Sequence, residues 1–202
     1  MKTRLEVDLS RVETNGFGHR VVPWWGTLGF MLIEGMGFVL AIGIFLYIPL
    51  TDPEWPHGFP PQPLGWSTAF TLLLLVSLLP NGFVIHKAKA GDNATLKPLL
   101  VLMSLIGVTA LAIRWFELQS LTIHWDENVY GSLLWVLLGL HTVHLLTDVG
   151  DTIVMTALFF TGHTPHGRYS DADENAFYWV FVVVGWLPIY VLLYWSNRLG
   201  GP

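Results

Sequence analysis

His141-Thr142-Val143-His144-Leu145-Leu146-Thr147-Asp148-Val149-Gly150-Asp151 is the stretch on which the reading of this chain turns. It lies inside an otherwise apolar run from Tyr130 to Phe160. At about 100° per residue, offsets of 0, 3, 7 and 10 from His141 keep all the ionisable groups on one helical face. That run is long enough to cross a bilayer, and one ionised group at mid-bilayer costs about 2.5–3.5 kcal/mol on insertion scales. The stripe must therefore face protein or trapped water, and it marks either a function or a buried packing network.

Outward from the stripe, the chain reads as a membrane protein throughout. Of 202 residues, 52% are hydrophobic and 12% charged, and mean hydropathy is +0.52. Ten Trp, 12 Phe and six Tyr are heavy aromatic usage, much of it at span ends where amphipathic rings favour the interface. With no cysteine, disulfides, thiolate zinc sites, iron–sulfur clusters and cysteine nucleophiles are excluded. The net charge of −5 is scattered; no basic patch suggests nucleic acid, and no Gly-rich phosphate loop or serine elbow appears.

Five stretches reach the roughly 20 apolar residues that a span needs, at about 24–49, 64–85, 96–116, 130–160 and 176–195. The expected fold is thus all-α, an integral bundle of five transmembrane helices over 24–202 behind a soluble N-terminal arm, 1–23. That arm is too charged for a secretory signal. The fourth span, about 30 residues, should tilt or leave the hydrocarbon near Asp148 and Asp151. Lys and Arg divide eight to two between the sides: Lys2, Arg4, Arg11, Arg20, Lys87, Lys89, Lys97 and Arg168 against Arg114 and Arg198. Positive charge stays inside, so the N-terminus is expected in the cytoplasm and the C-terminus outside.

Other intramembrane polar groups follow from this placement. Glu34 lies about 15 Å into the first span, near the midplane, with Gly29, Gly35 and Gly37 allowing close helix approach. It reads either as a hydrogen-bonding structural acid or as a member of a proton or lipid path. His141 and His144 are packing residues or a functional network; as metal ligands they lack histidines on facing helices. Asp148 and Asp151 are solvated helix-end carboxylates or part of a water-filled inlet. Glu117 follows Arg114 by three residues at a span end, which predicts a plain interfacial pair. His86 ends the second span beside Lys87 and Lys89, and His163 and His166 read as loop histidines.

These motifs, in this order, resemble subunit III of the haem–copper cytochrome oxidases, in a short five-helix form without the family's first two helices. Pro23-Trp24-Trp25-Gly26 followed by Glu34 resembles its first conserved helix. The Pro-rich run from Trp55 to Leu64, His86 in a turn, and Glu117 also match. Val129-Tyr130-Gly131-Ser132 and then Gly139-Leu140-His141-Thr142-Val143-His144 resemble the most specific motif, and Phe177 to Leu187 the final-helix signature. Val180 and Val183 stand where that signature carries His and Asp, which puts in doubt any proton function built on that pair.

The resemblance implies an accessory subunit in the inner (cytoplasmic) membrane with no redox centre of its own. Haem and copper would be held by a catalytic subunit I, packed with a subunit II, and phospholipid would be bound in a cleft. It implies that Glu34, His141 and His144 line the helix interface. Arg20, Trp24, Trp25, His86 and Trp179 would meet lipid or neighbouring protein. An accessory protein of nitric oxide reductase has the same five-helix plan and is the alternative. A transporter would need broken helices or a repeat, and a free-standing enzyme a denser catalytic set.

Overall fold

The computed structural model describes residues 17–18, 22–52, 55, 61–161 and 169–198. Five helices carry it: α1 Val22–Thr51, α2 Leu64–Lys89, α3 Asn93–Gln119, α4 Val129–Thr161 and α5 Tyr169–Tyr190. All five are long and apolar enough to cross a membrane. Among the described residues there is no strand.

Each helix is longer than its apolar run because backbone hydrogen bonding continues into polar flanks. The largest difference is at the fifth span. It was expected to begin near 176, but α5 starts at Tyr169, with Asp171, Asp173 and Glu174 already helical. A hydropathy window cannot register those acidic turns, although acidic residues favour a helix N-terminus. At its other end α5 widens into a π turn, Val191–Trp195, and then a 3-10 turn, Ser196–Arg198. Most of the predicted arm, residues 1–16 and 19–21, lies outside the described residues, as do Arg20, His163, His166 and Arg168.

Helices α2, α3, α4 and α5 close a ring in which each packs on two others, α2 on α3 and α5, α4 on α3 and α5. Helix α1 attaches to the outside of that ring along the α4–α5 seam. It buries only Met31, Phe38, Ala41 and Phe45. Lipid tails are as apolar as leucine, so such helices are held by close packing and interhelical hydrogen bonds rather than by exclusion of water. Both are visible. Gly107 lets α3 approach Val149 of α4, where an added Cβ would stand 2.6 Å from a valine methyl. Across α2 and α5, Trp179 donates to Ser77 at 2.8 Å, Trp186 to Thr71 at 2.8 Å, and Asn81 to the Ala176 carbonyl at 2.8 Å.

The α2–α3 turn is a compact polar device. Gly91 takes φ +66°, a conformation few other residues tolerate, and Asp92 caps α3 by accepting from the Thr95 amide at 3.2 Å. Asp92 also accepts from the Thr95 hydroxyl at 2.8 Å and from Lys87 at 3.0 Å. Those bonds, the Thr95 hydroxyl first, hold its carboxyl down at about 2, against 3.8 unperturbed. Because the folded value is the lower one, the cap's contribution is full above pH 3.8 and is lost as pH falls towards about 2. Hydrogen exchange of the Thr95 and Leu96 amides should be flat from pH 7 to 4.5, after correction for intrinsic rates. In the Asp92→Asn variant that protection should be weaker throughout.

Candidate functional site

The polar stripe of α4 does not form one seam. It divides into two clusters facing opposite ends of the bundle.

Towards the α3–α4 end, His141 joins a closed network around Arg114. The guanidinium lies between two rings, its Cζ 3.9 Å from the Phe70 centroid and 4.1 Å from that of Trp186. It donates to Glu117 Oε2 at 2.6 Å and to His141 Nδ1 at 3.1 Å. The Tyr194 hydroxyl donates to the other Glu117 oxygen. The π turn of residues 191–195 carries Tyr194 at this end of the helix. Arg114 and Glu117 are each 1% exposed, so the expected interfacial pair is a buried one. Spacing at a span end suggested the pair but not the aromatic walls that remove it from the interface.

The donors fix the state of His141. A guanidinium can only donate, so Nδ1 must accept, and the ring proton sits on Nε2, which donates to the Val182 carbonyl at 3.1 Å. Both nitrogens are used, and the ring is neutral. Val183, one of the two positions where the resemblance calls for a polar side chain, is fully buried beside this contact. The polar demand of His141 is met by the Arg114 side chain at Nδ1 and by main chain at Nε2.

Towards the α2–α3 end, His144 and Asp148 meet other partners. His144 donates through Nδ1 to the Leu140 carbonyl, which leaves Nε2 facing Glu34 Oε1 at 3.5 Å. The Tyr178 hydroxyl donates to Glu34 Oε2 at 2.6 Å. One turn further, the Asn175 amide bridges Asp148 at 3.1 Å and Asp151 at 3.3 Å, and Thr152 donates to the Asn175 oxygen at 3.0 Å. Asp148 is buried and Asp151 exposed. A pocket of about 610 Å³ opens between α1, α4 and α5, with Glu34, Asp148, Asp151, Asn175 and Tyr178 on its wall.

The remaining candidates lie apart from both clusters. Trp24 is half-buried and stacks on Phe177 at 6.1 Å, while Trp25 is 58% exposed at the bundle surface. His86 is exposed at the end of α2. Trp179, expected to meet lipid or neighbouring protein, is 2% exposed and packs between α5 and α2, with its indole N–H held by Ser77. Among the described residues, no three His, Asp or Glu side chains converge as a bound metal ion would require. Tyr178, Asn175, Tyr194, Phe70 and Trp186 were not singled out from sequence. Each is an uncharged residue, four of them in apolar runs and Asn175 just before the predicted fifth span, and its role depends on which helix it faces.

The sequence profile described as cytochrome c oxidase subunit III matches residues 30–198, which takes in both clusters, α1 from residue 30 and all of α2 to α5. The chain belongs to the cytochrome c oxidase subunit III family. It is similar to the cytochrome c oxidase subunit 3 of Synechocystis sp., 26% identical over 204 residues, covering 95% of this chain and 85% of that protein. Similarity to the Lumbricus terrestris protein of the same name is 25% over 178 residues, 85% of this chain and 69% of that one. For Loxodonta africana it is 27% over 180 residues, 85% and 68%. Subunit III proteins are accessory subunits of haem–copper oxidases, and this one is a multi-pass membrane protein.

Proposed function

We propose that this chain is the non-catalytic subunit III of a haem–copper terminal oxidase, packed against the catalytic subunit I and subunit II that hold the haem and copper. It lies in the inner (cytoplasmic) membrane with its N-terminus in the cytoplasm, the side that carries eight of its ten Lys and Arg. It binds phospholipid along its exposed helix faces, stabilises the catalytic subunit and supports its proton uptake. The profile match over residues 30–198 carries this reading. The Glu34–His144–Tyr178 cluster, open to an acid-walled pocket, supports the proton role, since its groups can hold and exchange a proton at Glu34.

Mild-detergent capture of the tagged chain from native membranes tests the assignment. A co-purifying haem protein that consumes oxygen is expected. A haem partner that reduces nitric oxide instead would assign the chain to a nitric oxide reductase, and intact chain without haem would refute both. In the captured complex, Glu34→Gln should leave assembly intact and slow proton uptake, read with a pH-indicator dye during turnover. Unchanged uptake would remove Glu34 from the proton role.

A further inference from the structure

Glu34 sits deep in the bundle, and a proton that reaches it from water must cross an apolar space. Phe30, Val143, Val154, Met155, Leu158 and Phe159 make up much of the pocket wall. On α4, Asp148 and Asp151 stand four and seven residues beyond His144, which faces Glu34. Helical rise puts them about 6 and 10 Å nearer the α2–α3 end. Asp151 is exposed there, whereas Asp148 is 2% exposed. A proton passes between groups in hydrogen-bond reach or joined by one water, and a gap of about 10 Å exceeds that. Asp148 is the titratable residue of α4 between those two levels.

The hydrogen bonds of Asp148 are an independent observation. Its Oδ1 accepts from the Asn175 amide, which also donates to Asp151 Oδ2, so one side chain holds both carboxyl groups at the wall. Its Oδ2 makes no hydrogen bond among the described residues. A buried acceptor without a donor is costly, and the cost is lifted when that oxygen itself takes up a proton. The other titratable groups on the wall are Glu34 of α1 and Asp171, Glu174 and Tyr178 of α5. Glu174 accepts from Thr27 at 3.3 Å, and among the described residues α2 and α3 contribute no titratable group to the wall. We propose that Asp151 and Asp148 form a two-step proton inlet to Glu34. A proton from water at the α2–α3 end binds the Asp151 carboxylate and passes to Asp148 Oδ2, making a carboxylic acid. Rotation about the Cβ–Cγ bond presents that O–H to the pocket. The O–H then breaks as its proton bonds to a pocket water, which releases another to Glu34, and Asp148 returns to the carboxylate. The pocket's volume of about 610 Å³ accommodates such a water, which takes about 30 Å³ in the liquid. The inlet rests on the proton role proposed for Glu34 and names the residues that supply it.

The test follows Glu34 in the full chain, with whatever subunits accompany it, in lipid nanodiscs. The probe is the proton itself, delivered by a rapid drop in pH and followed by time-resolved infrared absorption. The Glu34 signal is the component missing from Glu34→Gln. In Asp148→Asn that signal should develop about a hundredfold more slowly, the lower end of what one positioned acid–base group contributes. Asp151→Asn should slow it less, since water reaches Asp148 in its place. A wild-type rate in Asp148→Asn, shown to be folded by circular dichroism, would overturn the proposal. So would a Glu34 signal that does not respond to the pH drop in the wild type. Should Asp148→Asn not fold, Asp151→Asn at its exposed position decides, and an unchanged rate there would overturn the inlet equally. The readout needs neither haem nor turnover, so its failure is distinct from failure of the oxidase assignment. Failure of Glu34's own part in uptake is read separately, by the dye measurement on Glu34→Gln.

Discussion

Arg114→Met should destabilise the bundle by about 3–5 kcal/mol, the usual cost of removing one partner of a buried ion pair. The substitution leaves Glu117, 1% exposed, with only the Tyr194 hydroxyl as a donor, and it takes the donor from His141 Nδ1. It also removes the cation held between Phe70 and Trp186. The double variant Arg114→Met, Glu117→Gln should recover a large part of the loss, since the buried charge is gone and the amide oxygen still accepts from Tyr194. Unfolding of the detergent-solubilised chain by SDS, followed by circular dichroism, reads both. If the single variant unfolded at the wild-type SDS fraction, the network would have no structural role. If the double variant were worse than the single, uncompensated charge would be the wrong cause.

The second large effect is expected at Gly131, in the first turn of α4. A Cβ there would stand 2.3 Å from the His124 carbonyl oxygen and 3.2 Å from the Ile123 side chain. A backbone carbonyl cannot rotate away, so the α3–α4 connection must shift as a unit. That would disturb the Trp135 indole bond to the Ile123 carbonyl, 2.9 Å, and the Asn128 cap on the Gly131 amide, 2.8 Å. Gly131→Ala should therefore cost about 3 kcal/mol, the upper part of the overpacking range. Gly107→Ala is the matched comparison. Its closest neighbours are the Val149 methyls, at 2.6 and 3.2 Å, and relief there takes a small separation of α3 and α4 rather than displacement of a backbone carbonyl, so its cost should be smaller. Equal melting temperatures for the two variants would contradict the distinction between backbone and side-chain obstacles.

The fold was legible because bilayer thickness imposes a length and an apolar composition that any span must meet, and α1 to α4 fall where those runs lie. The start of α5 was not legible, because Asp171, Asp173 and Glu174 are helical without being apolar. In the site, helical periodicity was enough to place His141, His144 and Asp148 on one face, and all three are buried. Periodicity says nothing about what the opposite helix offers. The division of the stripe depends on Arg114 of α3 at one end and on Glu34 of α1 with Tyr178 of α5 at the other. The Arg114–Glu117 pair was legible as a pair, and its burial was not, because Phe70 and Trp186 read as ordinary apolar residues in their own spans.

The bond from His141 to the Val182 carbonyl has a bearing on how such chains diverge. A side-chain partner can be lost by one codon change, and its loss is visible in any sequence comparison. A carbonyl is supplied by whichever amino acid occupies the position, so this partner is indifferent to mutation as long as the helix holds its place. With valine at 180 and 183, the histidine is still satisfied. A count of polar side chains would leave this contact out, whereas in three dimensions His141 is held by an atom that substitution does not remove.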